Sequence, residues 1–174
     1  MKTHMLAVSA LLLAASAGFA HSARAQEKDY LSPLEADKIR DAPTPNDRIV
    51  LFLSFADDRL KKFQYELAHP SATRHSEILN ALLNSYVGCV DDAADIVQLG
   101  REKQLNVSKG IDLMIAKTRE FLVVLEQIST AGQEIDLYKD NLEDAIEGTR
   151  DALSDAQKAK KEVAPPPVRR KGGP

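Results

Sequence analysis

Residues 45–68 read PNDRIVLFLSFADDRLKKFQYELA, and their apolar side chains recur at steps of four and three residues. That spacing lines up one face of an α-helix. The positions that carry it are Ile49, Leu53, Ala56, Leu60, Phe63 and Leu67. Taken alone, residues 49–56 would also suit a buried strand, but the spacing continues and favours a helix to about Ala68. Thr44 is the expected N-cap, with Pro45 at the first helical position.

Three later segments repeat this pattern. The first begins near Ser71 or Thr73, fades near residues 100–104 and has the stripe Leu79, Leu82, Tyr86, Cys89, Ala93 and Ile96. The second follows a turn at residues 105–108 and has the stripe Ile111, Met114, Thr118, Phe121, Leu125 and Ile128. The third has the stripe Tyr138, Leu142, Ala145, Thr149, Ala152, Ala156 and Ala159. The last two stripes do not join in register, since the first would continue to Lys139, so a turn near Gly132 is favoured over one long rod.

A shorter helix precedes these four. Ser32-Pro33-Leu34-Glu35 matches a capping box with proline at the first helical position. It predicts a helix to about Asp41, which the prolines of residues 42–45 end. Amphipathic helices joined by short breaks bury their stripes against one another. The sequence therefore predicts an all-α fold over residues 32–161, an antiparallel up-down-up-down four-helix bundle with a short extra N-terminal helix.

Both ends of the chain differ from this helical region. Lys2, an apolar run from Met5 to Ala20 and Ala23-Arg24-Ala25 together resemble a secretory signal. We therefore expect a signal peptide over residues 1–25 that is cleaved during export to the periplasm or outside the cell. No cysteine directly follows the run for lipid attachment, so the exported chain is expected to be soluble. Residues 26–31 form a predicted flexible lead-in, and residues 162–174 a disordered, proline-rich, basic tail.

Charge and cysteine content limit the possible partners. The chain has 23 Lys and Arg against 26 Asp and Glu, and signal cleavage removes only Lys2 and Arg24 from this balance. A mildly acidic protein lacks the basic face that nucleic acid requires, so no nucleic-acid partner is expected. The single cysteine, Cys89, has no internal disulfide partner. It is expected either to be buried or to bond to a second copy, where Gly88 would permit close approach.

The sequence predicts no catalytic residue, no metal site and no cofactor. His75 precedes Cys89 by 14 residues on one predicted helix, a separation of about 21 Å that prevents a thiol–base pair. His75 and Met114 belong to opposite ends of the bundle and cannot share a haem iron. The di-iron Glu-x-x-His pair, a phosphate-binding glycine loop and a nucleophile elbow are all absent from the sequence.

Acidic residues offer one further candidate site. They are spaced along one side of the last helix at Asp140, Asp144, Glu147, Asp151 and Asp155. A calcium ion or a basic partner could bind there, but a solvated outer face is the simpler interpretation. The adjacent pairs Asp57-Asp58 and Asp91-Asp92 diverge by about 100° around a helix and do not converge on one point.

Two features suggest interactions. Residues 49–53 and 121–125 are apolar on more than one stripe, which calls for cover by the N-terminal helix or by a second copy. In the tail, Arg169, Arg170 and Lys171 follow three prolines and could contact anionic envelope polymers or lipid headgroups, or nothing at all.

The motifs Ser32-Pro33-Leu34-Glu35, Asp37-Lys38-Ile39-Arg40 and Pro45-Asn46-Asp47-Arg48 ahead of an apolar helix resemble the opening of uncharacterised exported helical proteins of soil bacteria. This resemblance implies export and a helical fold, and it implies no activity. The sequence therefore favours a non-enzymatic role in protein interaction or structure, as a homo-oligomer or with an envelope protein as partner. The alternative is a ligand-binding or chaperone-like sensor bundle.

Overall fold

The computed structural model describes residues 30–162, and within that range the protein is all-α. Its five α-helices are α1 (Pro33–Asp41), α2 (Pro45–Ala68), α3 (His75–Glu102), α4 (Ser108–Ala131) and α5 (Lys139–Glu162), with a short 3-10 helix at Ile135–Leu137. The predicted signal peptide over residues 1–25 lies outside the described residues. So does the predicted tail, apart from Glu162.

The predicted helix starts of α1 and α2 are confirmed. Ser32 Oγ accepts from the Glu35 amide at 3.3 Å, while the Glu35 carboxylate accepts from the Ser32 amide at 2.9 Å. At α2, Thr44 Oγ1 accepts from the Asp47 amide at 3.2 Å. Each cap satisfies amides that the first helical turn leaves without an intrahelical acceptor.

The sequence predicts that the third helix starts near Ser71 or Thr73, but α3 begins at His75. The amide and hydroxyl of Ser71 are both engaged by Glu66, so Ser71 does not act as an N-cap. Arg74, the residue just before the helix, has a φ of 65°, in the left-handed region. A right-handed helix cannot extend back through that conformation.

The long helices pack side by side. α2 lies along α3 and α4, and α5 also lies along α3 and α4. α3 and α4 are consecutive in sequence but touch each other much less, so they occupy opposite corners of the group. Between α4 and α5, the predicted turn is confirmed over residues 132–138. α1 packs against α2.

The buried side chains follow the predicted stripes except at three positions, of which one is Leu67 of α2, a side chain that is only partly buried. In α4 all six predicted positions are buried, and in α5 the six from Leu142 to Ala159 are buried, while Tyr138 is buried just before that helix begins. In α3, Leu83 and Val97 are buried, whereas the predicted Leu82 and Ile96 are only partly so. Because α3 faces both α2 and α5, its buried face is wider than one stripe and lies slightly to one side of the prediction.

Aromatic rings and hydroxyl groups of different helices contact one another inside the core. The Tyr86 hydroxyl on α3 lies 2.7 Å from Thr149 Oγ1 on α5, and its ring meets Phe121 of α4 edge-on at 5.6 Å. A buried phenol needs such a partner, because an unsatisfied polar group costs about 1–3 kcal/mol. Across residues 30–162, no helix is both long and apolar enough to span a membrane.

Candidate functional site

A buried arginine ties the N-terminal segment to the bundle. Arg59 on α2 binds both carboxylate oxygens of Glu35 at 2.7 Å and has a side chain only 10% exposed. Its Nη2 also donates to the Tyr30 carbonyl at 3.3 Å. The Arg59 guanidinium holds the pKa of Glu35 down, to about 2. Two parallel hydrogen bonds between opposite charges are among the strongest polar contacts in proteins.

Tyr30 completes this arrangement, which we call the Arg59 clamp (Tyr30, Glu35, Arg59 and Asp92). The Tyr30 hydroxyl donates to the Asp92 carboxylate on α3. Its ring lies against Gly88, where a Cβ would come within 2.8 Å of ring carbons. Tyr30 falls within the predicted flexible lead-in of residues 26–31, but its side chain is anchored across α2 and α3. The glycine next to Cys89 thus makes room for Tyr30.

A second polar cluster lies about two helical turns further along α2, near its C-terminal end. Glu66 accepts from the Ser71 amide at 2.8 Å, from the Ser71 hydroxyl at 3.0 Å and from His75 Nδ1 at 2.8 Å. His75 Nε2 lies 3.3 Å from a carboxylate oxygen of Glu134, in the α4–α5 connection. We call Glu66, Ser71, His75 and Glu134 the His75 cluster. It joins the α2–α3 turn to the α4–α5 connection.

The carboxylates govern the electrostatics of the His75 cluster. The hydrogen bonds from His75 and Ser71 hold the pKa of Glu66 below its ordinary value, against the effect of burial. Burial and, secondarily, the negative charge of Glu134 raise the pKa of the neighbouring Tyr138 phenol. Glu66 is therefore an ionised acceptor that holds the turn, since it accepts from three donors.

The order of contacts in the His75 cluster differs from that of a hydrolase. A serine nucleophile requires its hydroxyl to donate to the histidine, which a carboxylate orients from the other side. Here the Ser71 hydroxyl donates to Glu66, and the histidine lies between two carboxylates. His75 is not placed to take the Ser71 proton. Among residues 30–162, no group of three His, Cys, Asp or Glu side chains is arranged to hold a metal ion.

The structure does not bring together the candidate residues Cys89, His75 and Met114. Cys89 is fully buried beside Gly88, so a disulfide to a second copy would require the fold to open. Met114 is buried near the start of α4, whereas His75 starts α3 beside Glu66. The five acidic residues of α5 are all exposed.

An apolar groove runs between α2 and α3 beside the His75 cluster. It has a volume of about 390 Å³ and is lined by Lys61, Lys62, Tyr65, Glu66, Ile78 and Leu82. We call it the Tyr65 groove. Tyr65 is 65% exposed and stacks on His69 at 4.4 Å between ring centroids. The apolar surplus noted in the sequence remains in part, since Val50 and Val123 are also exposed.

The apolar spacing of the sequence predicts none of the Arg59 clamp, the His75 cluster and the Tyr65 groove, although one signal of the two polar sites is present. Arg59 and Glu66 fall on the apolar face of α2, four residues before and three residues after the buried Phe63. A charged residue within a buried stripe is stable only with a charged or hydrogen-bonding partner. Comparison of the chain with protein-family models, with curated proteins and with solved structures found no match.

Proposed function

We propose that this protein acts in the cell envelope through a protein-binding surface and without catalysis. The Tyr65 groove carries the proposal. Its lining combines an exposed phenol with the side chains of Ile78 and Leu82 and the aliphatic stems of two lysines. Aromatic side chains that become buried on binding supply much of the energy of protein interfaces. A groove of this composition is suited to an apolar side chain from another protein surface.

The occupant we propose is a second copy of this chain. Along the edge of the groove, α2 presents Asp57 and Asp58 followed by Lys61 and Lys62, which pair within the helix at 2.5 and 2.7 Å. In a two-fold contact each surface meets its own copy, so a patch must be complementary to itself. Two such edges running in opposite directions place acidic residues opposite lysines. The exposed Tyr65 of each copy would enter the groove of the other.

The arrangement of helices that we propose beneath this surface is the antiparallel up-down-up-down bundle. Asn46, in the first turn of α2, donates to the carbonyl of Asn106 at 2.6 Å and accepts from the Gly110 amide of α4 at 2.7 Å. At the other end, Asn141 near the start of α5 donates to Asn80 of α3 at 2.6 Å. These contacts support parallel pairs α2 with α4 and α3 with α5, each pair opposed to the other.

Export is part of the proposal and rests on the sequence of residues 1–25. Its test is the N-terminal sequence of the protein recovered from periplasm or medium after expression of the full chain in a Gram-negative host. A mature chain that starts at Gln26 would support the proposal. An uncleaved chain confined to the cytoplasm would contradict export.

Self-association is tested by size-exclusion chromatography with light scattering on the chain from Gln26 onward. We expect the mass to rise toward a dimer with concentration up to about 1 mM, and Tyr65→Ala to weaken association about tenfold. Val123→Ala is the matched control, because Val123 is 56% exposed on α4 and does not line the groove. A wild-type protein that stays monomeric, or equal losses in both variants, would reject self-association through this groove.

A chaperone-like role is the second candidate, because an open apolar groove could also hold a segment of an unfolded chain. The assay is the suppression of aggregation of a reduced, unfolding client protein. Protection by the wild type that Tyr65→Ala loses would favour this role if the protein is monomeric. No protection together with dimer formation would favour self-association.

A further inference from the structure

Two backbone positions of unusual conformation lie in or directly beside the His75 cluster. Arg74 has a φ of 65° and Glu134 a φ of 52°, and neither is glycine. Each such residue costs on the order of 1 kcal/mol and persists only where surrounding contacts hold it. Arg74 directly precedes His75, and the Glu134 side chain faces the His75 imidazole. The imidazole therefore lies between two segments that depend on their contacts.

The protons of the imidazole can be assigned from its acceptors. Nδ1 lies 2.8 Å from Glu66, and an ionised carboxylate only accepts, so Nδ1 carries a proton. In neutral His75 the remaining nitrogen, Nε2, then bears a lone pair. This nitrogen is buried from solvent and makes no hydrogen bond to any described residue, although a Glu134 oxygen is 3.3 Å away. A lone pair facing a carboxylate oxygen is unfavourable, and a second proton on the ring would turn that contact into a donated hydrogen bond.

We propose that the His75 cluster is a proton-dependent latch. Protonation of Nε2 as the pH falls joins His75 to Glu134 and tightens the α4–α5 connection against the α2–α3 turn. At higher pH the bond to Glu66 persists and the bond to Glu134 is lost. Imidazole is the side chain whose ordinary change of charge falls between about pH 5 and pH 8.

The other charged groups around His75 leave this response to the imidazole. From α2, Glu66 binds the imidazole, and the lowered pKa of that carboxyl keeps it ionised across the range. From the α4–α5 connection come Glu134 and Tyr138, and the raised pKa of the Tyr138 phenol keeps it neutral. On α3 itself, Arg74 and Glu77 pair with each other at 2.6 Å. The contact of α3 with the start of α5 is made by the amides of Asn80 and Asn141.

The latch is tested by nitrogen NMR of the imidazoles together with backbone hydrogen exchange, in the chain from Gln26 onward. Between about pH 8 and about pH 5.5, we expect His75 Nε2 to gain a proton while Nδ1 keeps its own. Over that range we expect the equilibrium constant for opening of residues 132–138, obtained from exchange rates corrected for intrinsic exchange, to fall about threefold. A change of this size is typical of a partly exposed ion pair. Glu134→Gln removes the anion and keeps the shape, and should abolish this change. His69→Gln is the matched control and should retain it, since His69 stacks on Tyr65 outside the cluster.

Two results would overturn the latch. One is unchanged opening of residues 132–138 in the wild type as Nε2 becomes protonated. The other is a full pH response in Glu134→Gln. Neither outcome decides whether copies associate through the Tyr65 groove, since protonation and hydrogen exchange are read within one chain.

Discussion

The Arg59 clamp and the His75 cluster solve the same problem with different chemistry. Each uses a charged residue on the apolar face of α2, Arg59 in one and Glu66 in the other, to hold an irregular segment to the bundle. The clamp relies on a guanidinium, which stays charged at every physiological pH. The cluster relies on an imidazole, which does not. One attachment is expected to be constant and the other to respond to acidity, within a single helical scaffold.

The largest expected effect comes from removing the constant attachment. Arg59→Met keeps much of the aliphatic stem but leaves Glu35 with its Ser32 hydrogen bonds and without a charged partner. We expect the free energy of unfolding to fall by about 2–3 kcal/mol. Urea denaturation measures the change. Arg40→Met is the control, because Arg40 pairs with Asp37 on an exposed face and should cost less than about 0.5 kcal/mol. Equal effects of the two substitutions would show that the clamp contributes no more than a surface pair.

Glycine at position 88 gives the next largest effect. Gly88→Ala places a Cβ within 2.8 Å of the Tyr30 ring, so the ring must move and its bond to Asp92 weakens. We expect a net loss of about 1 kcal/mol, since overpacking outweighs the gain in helix propensity. Gly148→Ala on α5 meets nothing within 4 Å and should stabilise by up to about 1 kcal/mol. Thermal unfolding of both variants tests this. A stabilised Gly88→Ala would contradict the packing described for Tyr30.

Acid should release the clamp only at low pH. The pKa of Glu35 is lowered from 4.5 to about 2 in the folded protein, so its stabilising effect is complete above the unfolded-state value. That effect is lost as the pH falls from about 4.5 toward 2. The loss should be smaller than in Arg59→Met, because neutral Glu35 can still accept a hydrogen bond. Urea midpoints of wild type and Glu35→Gln against pH measure it, and the two curves should converge near pH 2. A constant difference between them would contradict the ion pair.

The smallest effect is expected in the α2–α3 turn. Ser71→Ala removes one of three donors to Glu66 and should cost about 0.5–1 kcal/mol, while leaving the clamp intact. Alkylation of buried Cys89, which lies next to Gly88 beneath the clamp, reports on the clamp separately. Its rate should rise in Arg59→Met by a larger factor than in Ser71→Ala. Equal acceleration in both variants would mean that the two attachments open together.

The sequence was informative where local rules decide the structure. The capping box at Ser32, the proline at position 45 and the apolar spacing of α2 and α4 depend on neighbours within a few residues, and the structure confirms them. The sites depend on residues far apart in the chain. Glu35 meets Arg59 across 24 positions, and Tyr30 meets Asp92 across 62. No periodicity encodes such pairs, although a charge within the stripe of α2 indicates that a partner exists.

The turn before α3 shows the same limit on a smaller scale. Ser71 has the side chain of a good N-cap and lies just after a proline, so local rules place the helix start there. Glu66, five residues earlier, takes both of its donors, and the helix begins at His75 instead. Hydrogen bonds to the end of the preceding helix have overridden the capping preference of Ser71, which belongs to the His75 cluster.

The most direct test compares both attachments in one wild-type sample. Hydrogen exchange of residues 30–41 and of residues 132–138 is measured at about pH 5.5 and about pH 8 and corrected for intrinsic rates. We predict that opening of residues 132–138 falls about threefold on acidification, while opening of residues 30–41 stays the same because the pKa of Glu35 lies far below this range. Equal responses in the two segments, or a response only in residues 30–41, would contradict the distinction between a constant clamp and a proton-dependent latch.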